Sequence, residues 1–139
     1  MTRVLIVDDD EQIPAILTRV LTQHGFECRV ATNADDGLEA ATADPPDVVL
    51  LHVNLPTRSG LDVQRALRAR SDRPAVVFVT SRRDVFAPMV DQLGPADDWI
   101  LKPWDTAELV ARVRVAARRG RRLASRVARR SEVVTRSAR

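Results

Sequence analysis

The chain has 139 residues, 45% hydrophobic and 29% charged, which suits one globular domain and excludes both a disordered chain and two full cores. Apolar runs such as Ala75 to Val79 fall far short of the roughly 20 residues needed to cross a bilayer, and the opening MTRVLIVDDD lacks the apolar core of a secretory signal, so a cytoplasmic protein without a membrane partner is expected. The formal net charge of +3 hides an asymmetry: residues 118–139 hold nine arginines against one acid, Glu132, giving +8 and leaving −5 for residues 1–117.

Arg3 to Val7 is an apolar run that stops at three aspartates, as a buried parallel strand does at a polar edge. Ile13, Ile16, Leu17, Val20 and Leu21 then recur at helical spacing, and Gly25 supplies the stop. Phe26 to Ala31 reads as a second strand with Cys28 as a core thiol; this lone cysteine excludes an intramolecular disulfide and an all-thiolate metal site. Asn33 caps a short helix through Thr42 that buries Leu38 and Ala41, ended by Pro45 and Pro46. Val48 to Leu51 is a third strand, running into His52 and the loop VNLPTRSG. Leu61, Val63, Ala66 and Leu67 mark a third helix, and Ala75 to Val79 a fourth strand ending at Thr80 and Ser81. The segment Asp84 to Leu93 is a short or kinked helix, because Pro88 would cost about 3 kcal/mol in a helix interior. Trp99 to Leu101 is a brief fifth strand, and Asp105 with Glu108 forms a capping box that opens a last helix through Leu109, Val110 and Val113.

Five strands alternating with five helices predict an α/β fold, an open doubly wound parallel sheet. In such sheets ligands bind at the carboxyl ends of the strands, near the switch in strand order. Those ends carry Asp8, Asp9 and Asp10, then His52, then Thr80 and Ser81, then Lys102. Lys102 is the one lysine among 22 basic residues, a point charge with a reach that no guanidinium reproduces. Carboxylates, a hydroxyl and an ammonium converging on one edge suit a magnesium ion and a phosphoryl group. For the aspartates alone, acids at a solvated helix N-terminus are the simpler explanation.

VLIVDDD, PDVVLLHVNLPTRSG, VVFVTS and ADDWILKPW, in this order and spacing, resemble the receiver domain of two-component response regulators over residues 3–118. The resemblance implies a flavodoxin-like (βα)5 fold with a five-stranded parallel sheet and a signalling module, not an enzyme. It implies a magnesium site at Asp8, Asp9 and the backbone carbonyl of Asn54, a switch hydroxyl at Thr80, a switch aromatic at Trp99, and a phosphate-contacting Lys102 followed by a cis peptide to Pro103. In that family an aspartate ending the third strand accepts the phosphoryl group; here the position is His52. Imidazole supplies neither the acyl-phosphate nucleophile nor an anionic oxygen for the metal, so no catalytic residue is expected, no cofactor is required, and magnesium would bind weakly. Pro95 stands where the family commonly has glycine, and Pro88 disturbs the fourth helix. Three readings of His52 stand side by side: a pocket kept for the fold and for phosphorylation-independent contacts, an imidazole that itself takes phosphate, and a transition-metal site formed with Asp8 and Asp9.

The domain is expected to span 1–118, with 119–139 an arginine-rich tail or linker. Leu109, Val113, Ala116, Gly120, Leu123, Val127 and Val134 keep helical spacing, so the last helix can extend through the tail, with Gly120 a weak point. Two functions follow. One is a degenerate receiver acting as a protein-interaction module, with a kinase-like or output protein or a second copy as partner. The other is the receiver part of a DNA-binding transcriptional regulator, in which Arg118–Arg139 or a further C-terminal domain contacts nucleic acid.

Overall fold

The computed structural model describes residues 1–70, 73–80 and 98–137, and side chains as far as Arg121. The elements run β1 (Arg3–Val7), α1 (Gln12–Gln23), β2 (Glu27–Ala31), α2 (Ala34–Ala43), β3 (Val48–Leu51), α3 (Gly60–Arg68), β4 (Ala75–Thr80), β5 (Asp98–Leu101) and α4 (Thr106–Ser137). All four strand pairings are parallel, in the order β2-β1-β3-β4-β5, the doubly wound arrangement expected. The helix expected over Asp84–Leu93, with Pro88 and Pro95, lies outside the described residues. Among the described residues no helix is long and apolar enough to cross a membrane.

Successive strand residues point to opposite faces, and both faces are covered, which is why the strands are apolar without alternation. Val4, Ile6, Val48, Leu50, Val77 and Val79 pack on one side with Leu17 and Leu21 of α1 and Leu109 and Val113 of α4. Leu5, Val7, Val49, Leu51, Val76 and Phe78 pack on the other with Ala41 of α2 and Val63 and Leu67 of α3. β2 is the exposed edge, and Cys28 on it is half-buried against the first cluster rather than enclosed; burial pushes its thiol pKa up.

Local signals end the helices where expected. Gly25 takes φ 87°, and the amide of Phe26 donates to the Leu21 carbonyl while that of Gly25 donates to Thr22, a left-handed cap that glycine adopts without a Cβ penalty. The Asn33 side chain accepts from the Asp36 amide at 2.8 Å. Asp105 Oδ1 accepts from the amides of Ala107 and Glu108 at 2.8 and 3.2 Å. Glu108 does not complete the expected box; its carboxylate turns outward to Arg112 at 3.0 Å.

α4 does not break at Gly120. The helix runs 32 residues, and a Cβ at position 120 would meet the Ala75 nitrogen at 3.1 Å and the Ala75 Cβ at 3.2 Å. Glycine here permits close contact of α4 with the start of β4, so its lower helix propensity is offset by packing. The division at 118/119 therefore falls inside one continuous helix.

Three stability effects follow. Asn33→Ala removes the α2 cap and lowers unfolding free energy by about 1 kcal/mol in a denaturant titration. Gly60→Ala costs about 1–3 kcal/mol, because the added carbon would lie 2.4 Å from the His52 carbonyl oxygen. The third concerns acid. The hydrogen bond from Arg3 holds the Asp44 carboxyl below the usual carboxylate range, so its contribution is present above the unfolded carboxyl pKa and lost as pH falls through the lower folded value. Asp44→Asn should flatten that acid limb of a Tm-versus-pH curve, and an unchanged limb would contradict it.

Candidate functional site

The chain leaves β1 toward β2 on one side and returns to β3 on the other, so the strand order reverses between β1 and β3. The residues just past these strands face that crevice. The backbone ladder continues one residue beyond each strand: the Asp8 amide donates to the Ala31 carbonyl at 3.1 Å, the His52 amide to Val7 at 3.0 Å, and the Lys102 amide to Thr80 at 2.9 Å. Those bonds fix three polar side chains at the same edge.

Asp8 is 3% exposed, and a buried carboxylate needs a counter-charge and donors. Lys102 Nζ lies 3.7 Å from Asp8 Oδ2, and the Asp10 amide donates to Asp8 Oδ1 at 3.0 Å. His52 Nδ1 lies 4.0 Å from Asp8 Oδ2, 3.4 Å from Lys102 Nζ and 3.3 Å from the Val79 carbonyl oxygen. A ligand atom from each of Asp8, Asp9 and His52 falls within 4.8 Å of the others. The structure thus brings together Asp8, Asp9, His52 and Lys102.

The acids in the DDD run divide their work. Asp10 turns away from the cluster and accepts from the amides of Gln12 and Ile13 at 2.7 and 3.1 Å; these bonds, Ile13's foremost, hold its carboxyl below the usual range. It caps α1, as an acid at a helix start does, while Asp8 and Asp9 remain with the crevice. Thr80 ends β4 and is buried. Trp99 is half-buried on β5 against the α2/α3 side of the sheet, and the Lys102–Pro103 peptide is cis. Asn54 is exposed and bridges to Ser59, closing the loop after His52.

Two features of this loop were not evident from residue patterns. Gly60 donates its amide to the Val53 carbonyl at 2.7 Å and leaves no room for a Cβ beneath the His52 carbonyl, so α3 starts in backbone contact with the segment that carries His52. Thr57 sits at φ 65°, a left-handed conformation that β-branched residues seldom adopt. A Ser-Gly pair between a β3 loop and an amphipathic helix was the available signal for the first. Beside the crevice, Ile13, Ile16, Lys102, Pro103 and Trp104 line an apolar groove of about 460 Å³.

Magnesium is the ion the resemblance implies for this crevice. Magnesium demands near-octahedral oxygen ligands and gives up its hydration water reluctantly. Here the third side chain offers nitrogen, and an ammonium already lies at Asp8. The residues do not fit a tightly held magnesium ion.

Comparison with known proteins accords with this geometry. Residues 4–114 match the family model of the response regulator receiver domain. The chain is 42% identical over 117 residues to the DNA-binding response regulator MtrA of Mycobacterium tuberculosis, covering 84% of this chain and 51% of that protein. It is 39% identical over 117 residues to the transcriptional regulatory protein PrrA of the same organism, covering 84% and 50%. The chain thus spans about half the length of these relatives. Among solved structures, a sensor protein from Polaromonas sp. JS666 superposes with a TM-score of 0.77 at 28% identity, covering 86% of this chain and 98% of the other. The parallel sheet, the polar edge and the match over most of its length place this chain in the response regulator receiver domain family.

Proposed function

We propose that the chain is the receiver module of a DNA-binding transcriptional regulator in the cytoplasm, and that it works without an aspartyl phosphate. The observation that carries this reading is the position of His52: it follows β3 in the crevice, and its ring nitrogen faces Asp8 and Lys102 at 4.0 and 3.4 Å. A carboxylate there would be the nucleophile for phosphoryl transfer; an imidazole cannot form the acyl phosphate. Lys102 faces Asp8 at 3.7 Å and offsets its charge. The module's state is then set by concentration and by partner proteins, a second copy among them.

Two observations favour the DNA-linked form over a module confined to protein contacts. One relative named above is a DNA-binding response regulator and the other a transcriptional regulatory protein. Residues 118–139 carry eight net positive charges, seven of them within the helix described through Ser137, and such a charge density attracts a polyphosphate backbone.

The chain should retain duplex DNA at low salt. Replacing Arg126, Arg129 and Arg130 together by glutamine should weaken that retention and flatten the log–log salt dependence by about 0.9 for each arginine that contacts a phosphate. Unchanged retention would remove this stretch from the DNA interface. A small phosphodonor with magnesium should leave both the sedimentation coefficient and the DNA affinity unaltered; a donor-dependent shift in either would contradict phosphate independence.

A further inference from the structure

Asp8, Asp9 and His52 form a group of three metal-ligating side chains from the ends of two neighbouring strands. The geometry points to a site for a borderline divalent transition-metal ion, of the zinc or cobalt class, held by these three residues. This goes beyond the regulator reading and stands or falls independently of DNA binding.

Ligand chemistry comes first. An imidazole nitrogen with two carboxylates suits zinc, cobalt or nickel, whereas magnesium and calcium select all-oxygen shells. An imidazole at position 52 in place of an acid therefore does more than weaken a magnesium site; it widens the preference of the crevice for zinc-class ions over magnesium. Reach comes second. Ligands on a tetrahedral zinc with bonds of about 2.1 Å lie about 3.4 Å apart, and the three side chains start within 4.8 Å of one another. Asp9 is exposed and can close the remaining distance by side-chain rotation, with water completing the shell.

The third support is the cation already present. Lys102 Nζ touches both Asp8 Oδ2, at 3.7 Å, and His52 Nδ1, at 3.4 Å. One positive charge thus already interacts with two of the three ligands. A metal ion would compete with that ammonium, and the flexible four-carbon stem of lysine allows it to withdraw. Lys102 is accordingly a built-in competitor: it stabilises the crevice without metal and lowers the affinity for metal.

Calorimetry on the whole chain with zinc alone, backed by cobalt absorption for ligand geometry, tests this. One zinc should bind with saturation, at least about tenfold more tightly than magnesium. His52→Ala should abolish it, whereas His24→Ala and Cys28→Ser, which alter the remaining histidine and the lone thiol, should not. His52→Asp should narrow the zinc-over-magnesium affinity ratio by at least about tenfold while the variant still binds a divalent ion, a result that loss of folding cannot imitate. Lys102→Met should raise Tm more on zinc addition than the native chain does. Absence of saturable zinc binding, binding that survives His52→Ala, or a His52→Asp variant with an undiminished zinc-over-magnesium ratio would each overturn the site.

Discussion

A buried carboxylate at the end of the first strand is the constraint on which the rest of the crevice depends. Asp8 sits almost wholly out of water, where a charge without a partner costs several kcal/mol. Its compensation comes from two places in the chain: the Lys102 ammonium after β5 and the Asp10 amide just ahead of α1, with the His52 ring after β3 beside them. Removing Lys102 would leave the charge uncompensated, a loss of the kind that costs about 3–5 kcal/mol. The lone lysine in an arginine-rich chain is explained by this position, since its ammonium reaches a carboxylate and an imidazole at once.

Much of this was legible in residue order because strands buried on both faces carry a strong signal. Val48 to Leu51 is bounded as β3 is, and the polar residues after each strand fall at one edge because parallel strands all end there. Gly25 and Asn33 marked helix limits through cap chemistry that is local and therefore readable. What escaped were features set by long-range approach. Gly60 reads as a turn residue, yet its role is backbone contact beneath His52. Gly120 reads as a helix weakness, yet it is the point where α4 rests against Ala75. Gln64 looks like a surface position and is fully buried in α3. The division of labour in the DDD run also depends on geometry, since only the direction of each side chain separates the cap, Asp10, from the crevice acids.

The energetic logic explains how the receiver fold accommodates His52 at this position. Asp8 and Lys102 pair directly, and the two apolar layers on either side of the sheet do not involve the crevice. His52 is held by its own backbone bond to Val7 and by the Gly60 contact below it. The fold therefore accommodates an imidazole here without disturbing either apolar layer.

Covalent labelling decides the central claim, that His52 is the point at which aspartyl phosphorylation is lost. The native chain and His52→Asp are incubated with a small phosphodonor and magnesium, and intact mass is measured before and after treatment with base and with acid. The account predicts no label on the native chain and one base-labile phosphoryl group on the variant, because the variant restores a carboxylate beside Asp8, Asp9 and Lys102. A phosphoryl group on the native chain, above all an acid-labile one at His52, would contradict it.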